Sequence, residues 1–190
     1  MKANTVAAII LAAGASTRFG SPKQLIQFGM ETLLERTARI AVEAGLNPVY
    51  GVVSEYLPLE AFSNRMIRVI NPEAYEGMAS SIRAGLRAAE NGASPLSGIV
   101  MLTCDQPAVT AEHLRVLSRG GTQVIGSAYA QRKGVPAYFP ATTFAQLMAL
   151  RGDLGARDLL KAAETIDLPG GELDIDTLDD VERALQLYSR

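Results

Sequence analysis

Short apolar runs alternate with amphipathic stretches from one end of the chain to the other. The runs Val6–Leu11, Pro48–Val53, Met66–Ile70, Gly98–Thr103, Gln123–Ser127, Ala137–Phe139 and Thr165–Leu168 have the length and bounding turn residues of strands. Between and after them, Glu31–Glu43, Ser80–Glu90, Ala111–Ser118, Thr142–Leu150, Ala156–Ala163 and Leu178–Leu187 read as helices. In the first of these, Leu34, Ala38, Ala41 and Val42 fall on one helical face. Asn91–Pro95 and Arg132–Pro136, rich in turn residues, read as loops. This βαβα order predicts an α/β protein: a three-layer α/β/α sandwich around a mostly parallel sheet. No repeat or linker divides the chain, so residues 1–190 are expected to form one domain.

Composition narrows the setting. The chain has 190 residues, 48% hydrophobic and 20% charged, which suits an ordinary globular domain. A net charge of -2 argues against a nucleic-acid coat or a polybasic membrane anchor. No apolar run approaches the ~20 residues of a membrane span. The start of the chain does not read as a signal peptide, because its apolar stretch runs directly into a glycine loop. A single cysteine, Cys104, excludes an intrachain disulfide, and the cytoplasm is the expected location.

Candidate chemistry gathers at strand ends, where open α/β sheets bind their ligands. The first strand leads into Leu11-Ala-Ala-Gly-Ala-Ser-Thr-Arg18-Phe-Gly20-Ser-Pro-Lys23. Small residues there can bare backbone N–H groups, and Arg18 and Lys23 add fixed cations, a combination suited to a polyphosphate. The loop matches neither of the two standard glycine-rich nucleotide fingerprints. The fourth strand ends at Thr103-Cys-Asp105-Gln-Pro107. Pro107 and Thr110 can serve the turn and the next helix cap, which leaves Asp105 open to either a capping role or Mg²⁺ ligation.

Later segments add further candidates. In Asp174-Ile-Asp176-Thr177-Leu-Asp179-Asp180, Thr177 and Asp180 have the spacing of a helix-start box. Asp174 and Asp176 precede that box, would share one face of an extended segment, and are candidates for a second metal ligand. Ser80 and Ser81 can cap a helix or read the edge of a nucleobase. Gly134-Val-Pro136 and Gly152-Asp153 mark turns; Asp153 can cap a helix near Ala156, and Arg157 can pair with a carboxylate or an anionic substrate. His113 reads as a surface or half-buried histidine without a partner motif.

With these blocks in view, the chain resembles the molybdenum cofactor nucleotidyltransferases, in their cytidylyltransferase branch. The likeness runs from Leu11 to about Leu185. It rests on the ordered set Leu11 to Lys23, Gly77-Met-Ala-Ser-Ser81, Asp105-Gln-Pro107, Gly134-Val-Pro136, Gly152-Asp-Leu-Gly-Ala-Arg157 and Asp174-Ile-Asp-Thr177. The resemblance implies a Rossmann-like sheet of the nucleotidyltransferase type. It also implies Mg²⁺-dependent transfer of a nucleotidyl group from a triphosphate to the phosphate of molybdopterin, with or without bound molybdenum, releasing pyrophosphate. By the same resemblance Leu11, Ala12, Ala13, Gly14, Arg18 and Lys23 serve the nucleotide and its phosphates, with Lys23, Arg18 and Asp105 at the reacting centre. Asp105 is the metal ligand it implies, with Asp176 preferred as the second and Asp174 in reserve. Gly134, Pro136, Asp153 and Arg157 are the substrate-binding candidates. Relatives that read Leu-Ala-Ala-Gly tend to use pyrimidines, and the Ala13 methyl narrows the space beside the base, so CTP is the expected donor. The product's recipient would be a molybdoenzyme or its maturation chaperone. Phe19 stands where the family more often has Met. GTP as donor, a sugar phosphate or isoprenoid precursor as acceptor, and a non-catalytic delivery protein for the cofactor are the competing readings.

Overall fold

The computed structural model describes residues 5–14, 22–58, 64–92, 94–153 and 155–188. Its elements run in the order β1 (Val6–Ala12), β2 (Gln27–Phe28), β3 (Glu31–Thr32), α1 (Leu33–Glu43), β4 (Val49–Val53), β5 (Ile67–Ile70), α2 (Met78–Glu90), β6 (Gly98–Thr103), α3 (Ala111–Leu117), β7 (Ile125–Tyr129), β8 (Arg132–Pro140), α4 (Phe144–Met148), α5 (Arg157–Lys161), β9 (Glu164–Asp167) and α6 (Leu178–Tyr188). Seven strands form one sheet in the order β5-β4-β1-β6-β8-β7-β9. All of its pairings are parallel except those of β8, which runs antiparallel to both β6 and β7. Strands β2 and β3 make a separate small hairpin.

Alternation along β1 splits the core into two layers. Val6, Ala8, Ile10 and Ala12 face one side, where Leu34, Ala38 and Ala41 of α1 and Leu114 and Leu117 of α3 pack. Ala7, Ile9 and Leu11 face the other, against Ile82 and Leu86 of α2, Phe144 and Leu147 of α4 and Leu160 of α5. The period-2 pattern of a strand buried on both faces is thus filled by helices on both sides, giving the expected three layers. Helix α2 approaches closely because Gly85 lacks a side chain: a Cβ there would lie 2.6 Å from Ile9 Cγ2 and 2.8 Å from Val52 Cγ2. Helix α1 starts at a reciprocal capping box, in which the Thr32 hydroxyl accepts from Glu35 N and the Glu35 carboxylate accepts from Thr32 N.

Two expectations need correction. Arg132–Pro136 belongs to strand β8, not to a loop. Pro136 cannot donate to a ladder, but it sits where the β7–β8 register slips between Ile125 and Ser127, and the Ser127 hydroxyl donates to its carbonyl at 2.6 Å. Val42 lies on the rim of α1 and is 45% exposed, because the buried stripe formed by Leu34, Ala38 and Ala41 already fills the contact with the sheet.

Candidate active site

Strands β1 and β6 are parallel neighbours with Leu11 opposite Thr103, so their carboxyl ends emerge side by side. A cleft of about 610 Å³ opens there. Leu11, Ala12, Ala13 and Gly14 line it from the end of β1, and Thr103, Cys104 and Asp105 from the end of β6. Tyr75, Gly77, Met78 and Ser81, around the start of α2, form another wall, joined by Asp153 and Asp176.

Lys23 enters the cleft from a single 3-10 turn, Lys23–Leu25, set by Pro22. Its Nζ donates to Asp105 Oδ2 at 2.6 Å and to Asp176 Oδ1 at 3.0 Å. Burial opposes the charge on this ammonium, but Asp105 and Asp176 more than offset that cost and hold its pKa above the ordinary lysine value. Lys23 therefore carries a fixed positive charge at the carboxyl ends of the two central strands.

The carboxylates come from distant elements. Thr110 caps α3 by accepting from His113 N at 3.2 Å, so the turn after β6 leaves the Asp105 side chain available to Lys23. Asp176 lies in an extended segment outside the sheet. The segment is tied down by Ile175, whose N–H donates to the Asp105 carbonyl at 2.9 Å. The Ile175 side chain is buried with Phe28, Leu33, Val181 and Ala184. Asp174 and Asp176 flank this buried residue and are both exposed, as alternation requires. Thr177 and Asp180 form the expected box at the start of α6: Asp180 N donates to Thr177 Oγ1, and Thr177 N to Asp180 Oδ2. Asp174 is not among the residues that line the cleft. Packing around its carboxyl, then the charges of Asp105 and Asp176, push its pKa up to about 6, against the opposing pull of Lys23 and Arg132.

The remaining candidates divide. Both serines are buried, and of the two Ser81 lines the cleft. Neither caps α2, whose N-cap is Gly77. Instead Asn71, at the end of β5, donates to Ser80 Oγ at 2.9 Å and Ser81 Oγ at 3.0 Å. Asp153 does not cap α5; Ala156 holds that position without a side-chain bond. Asp153 faces the cleft instead. Gly134, Pro136 and Arg157 are not among the lining residues. Arg18 lies outside the described residues. His113 is buried rather than half-exposed, and its Nε2 lies 2.7 Å from Ser127 Oγ, a partner 14 residues away that no local pattern announces.

Gln24 is the residue that the sequence reading passed over. It is buried, and its amide Nε2 donates to two carbonyls of the nucleotide loop, Ala12 O and, at 3.2 Å, Gly14 O. Two acceptors at one end of the amide identify that end as the NH₂. Clamped this way, the turn at Ala13 has its carbonyls held toward Gln24. The signal in the sequence was faint: a polar residue directly after the cation, with Leu25 and Ile26 beyond it.

Among the described residues, no group of three or more His, Cys, Asp or Glu side chains is arranged to hold a metal ion. No helix among them is long and apolar enough to cross a membrane.

A family model described as the MobA-like NTP transferase domain matches residues 8–166. The purine catabolism protein PucB of Bacillus subtilis (strain 168) is 29% identical over 175 residues, covering 86% of this chain and 84% of PucB. The crystal structure of Rv0371c from Mycobacterium tuberculosis H37Rv superposes with a TM-score of 0.75 at 30% identity, over 96% of this chain and 98% of that one. The same mycobacterial protein has also been crystallised in complex with manganese. Molybdopterin-guanine dinucleotide biosynthesis protein A from Archaeoglobus fulgidus shares the fold, with a TM-score of 0.68 at 18% identity over 97% of this chain and 99% of that one.

Proposed function

Because the chain belongs to the MobA-like NTP transferase family, we propose that it transfers CMP from CTP to the phosphate of molybdopterin, releasing pyrophosphate. The observation that carries this reading is the Lys23 ammonium, bonded to Asp105 and Asp176 beside the Leu11–Gly14 loop. A fixed cation and two carboxylates at one strand edge, beside a loop of small residues, suit a reaction at a phosphate.

The acceptor is itself a phosphate, an anionic nucleophile near neutral pH, so no strong general base is needed. His113 is buried against Ser127 and takes no part. Catalysis then comes from positioning and charge neutralisation. Lys23, with Arg18, takes up negative charge on the leaving pyrophosphate. Leu11, Ala12, Ala13 and Gly14 hold the nucleotide against the end of β1, and Ser81 offers a hydroxyl to the base. Gly134, Pro136 and Arg157 remain candidates for the acceptor side.

The donor set fits Mg²⁺. Asp105 and Asp176 offer hard carboxylate oxygens that already converge on one positive charge, and Mg²⁺ is commonly held by one or two carboxylates completed by substrate phosphates. When bound there, such an ion supplies charge neutralisation and polarisation at the transferred phosphate. Asp174 is the reserve ligand.

The test is pyrophosphate release by purified protein with Mg²⁺ and molybdopterin, with and without molybdate, comparing CTP, GTP, ATP and UTP. Turnover with CTP above GTP supports the proposal. Turnover with GTP instead keeps the reaction and overturns the base. No turnover with any of the four overturns the acceptor, and sugar phosphates and isoprenoid precursors become the next acceptors to try.

A further inference from the structure

Three carboxylates line the cleft, and they are not alike. Asp105 and Asp176 are bonded to Lys23. Asp153 has no hydrogen-bond or ion-pair partner among the described residues. An unpaired carboxylate repels a triphosphate, so its place in the cleft belongs to an uncharged part of the ligand.

The loop that carries Asp153 is held firmly. Gly152 O accepts from Ala79 N at 3.0 Å, in the first turn of α2. Arg83, a buried residue of α2, donates to Leu150 O at 2.8 Å and pairs with Glu76 at 3.2 Å. The carboxylate then lies against Gly77, where a Cβ would come within 2.2 Å of Asp153 Oδ1. Gly77 has a φ of 101°, a conformation that also favours glycine. Gly77, Met78, Tyr75 and Ser81 line the same cleft as Asp153, contributing small, apolar and aromatic groups and one hydroxyl. Such a lining suits the face of a heterocycle, and an ionised carboxylate can only accept hydrogen bonds from its edge.

We propose that Asp153 reads the exocyclic amine of the nucleotide base and so selects cytosine over uracil. The inference rests on the nucleotidyltransferase reading above and deepens it. Cytosine presents an N4 amine donor where uracil presents an O4 acceptor, and a carboxylate accepting from cytosine N4 is an established pairing. Against uracil, the same carboxylate sets lone pair against lone pair, which rejects the wrong base as well as welcoming the right one. Adenine and guanine carry amines too, and the Ala13 methyl disfavours them by size.

The experiment measures calorimetric binding of CTP and UTP, with Mg²⁺ and without acceptor, to the full-length wild-type protein, Asp153→Asn and Asp153→Ala. The wild type is expected to favour CTP by about tenfold or more, the range of one charge-assisted hydrogen bond. Asp153→Ala loses most of that ratio. Asp153→Asn, whose amide can donate to O4, binds UTP more tightly than the wild type does, a gain that no general structural defect produces. A CTP-to-UTP ratio unchanged in both variants overturns the inference while leaving the transferase reading in place. A wild type that prefers a purine overturns the cytosine selection alone, and one that binds no nucleotide overturns both readings.

Discussion

Lys23 Nζ and Asp105 Oδ2 meet at 2.6 Å across 82 residues of sequence, joining the loop after β1 to the end of β6. Asp176 meets the same ammonium from 153 residues away. The cluster is therefore a product of the sheet order and not of any local motif.

Removing the ammonium tests its part in the chemistry. Lys23→Ala is expected to lower the rate of pyrophosphate release by on the order of 10²–10³, the cost of losing a preorganised donor at a developing charge. Near-normal turnover in this variant, measured at saturating CTP, would remove Lys23 from the reaction.

Asp105→Asn keeps the shape of the residue and removes its charge. The variant is expected to need more Mg²⁺ for half-maximal rate and to turn over more slowly. A titration of rate against Mg²⁺ checks this, and an unchanged midpoint excludes Asp105 as a ligand.

Gln24→Met keeps the length of the side chain and loses both donors to the loop carbonyls. Stability should fall by about 1–3 kcal/mol, the cost of leaving buried partners unpaired. The KM for the nucleotide should rise while kcat changes little, because the clamp shapes the binding loop and does not touch the reacting atoms. Urea titration and steady-state kinetics give the two numbers.

His113 makes stability depend on pH. Burial holds its pKa below the ordinary value of 6.5. Ser127 donates its own proton to the Pro136 carbonyl, so the imidazole Nε2 is the donor between them. In the unfolded chain His113 binds a proton at higher pH than in the folded one. Stability is therefore full above about pH 6.5 and falls as the pH drops from there toward the lowered folded pKa. His113→Gln keeps a donor near Nε2 and should flatten that part of the acid slope in melts from pH 8 to pH 5. An unchanged slope would clear His113 of the effect.

Gly85→Ala should destabilise, although Ala is by about 1 kcal/mol the better helix former. The added methyl group meets Ile9 and Val52 at under 3 Å, inside a packed core, and overpacking of this kind costs about 1–3 kcal/mol. Thermal melts of the single variant decide which effect prevails.

Much of this arrangement could be read from the chain. The apolar runs at Val6–Leu11 and Gly98–Thr103 fix two buried strands, and small residues and an aspartate just beyond them mark the strand ends that open into the cleft. The alternation Asp174-Ile175-Asp176 reveals its geometry because Ile175 has to be buried. What escaped the sequence depended on distant partners. Pro136 argued for a loop because its value to β8 lies in a register slip with β7. Gln24 resembles any polar residue in a turn until Ala12 and Gly14 are placed beside it. Asp153 has the spacing of a helix cap, and only the approach of Gly77 shows where its carboxylate goes. His113 finds Ser127 across the fold, through a contact no periodicity encodes.

Ile175 ties the second acid to a layer of its own. The last strand of the sheet ends at Asp167, and beyond it Ile175 packs with Phe28, Leu33, Val181 and Ala184 while its N–H donates to the Asp105 carbonyl. Asp105 is placed by the end of a central strand and Asp176 by this small satellite cluster, so a disturbance of the cluster shifts one acid of the pair and leaves the other where the sheet holds it.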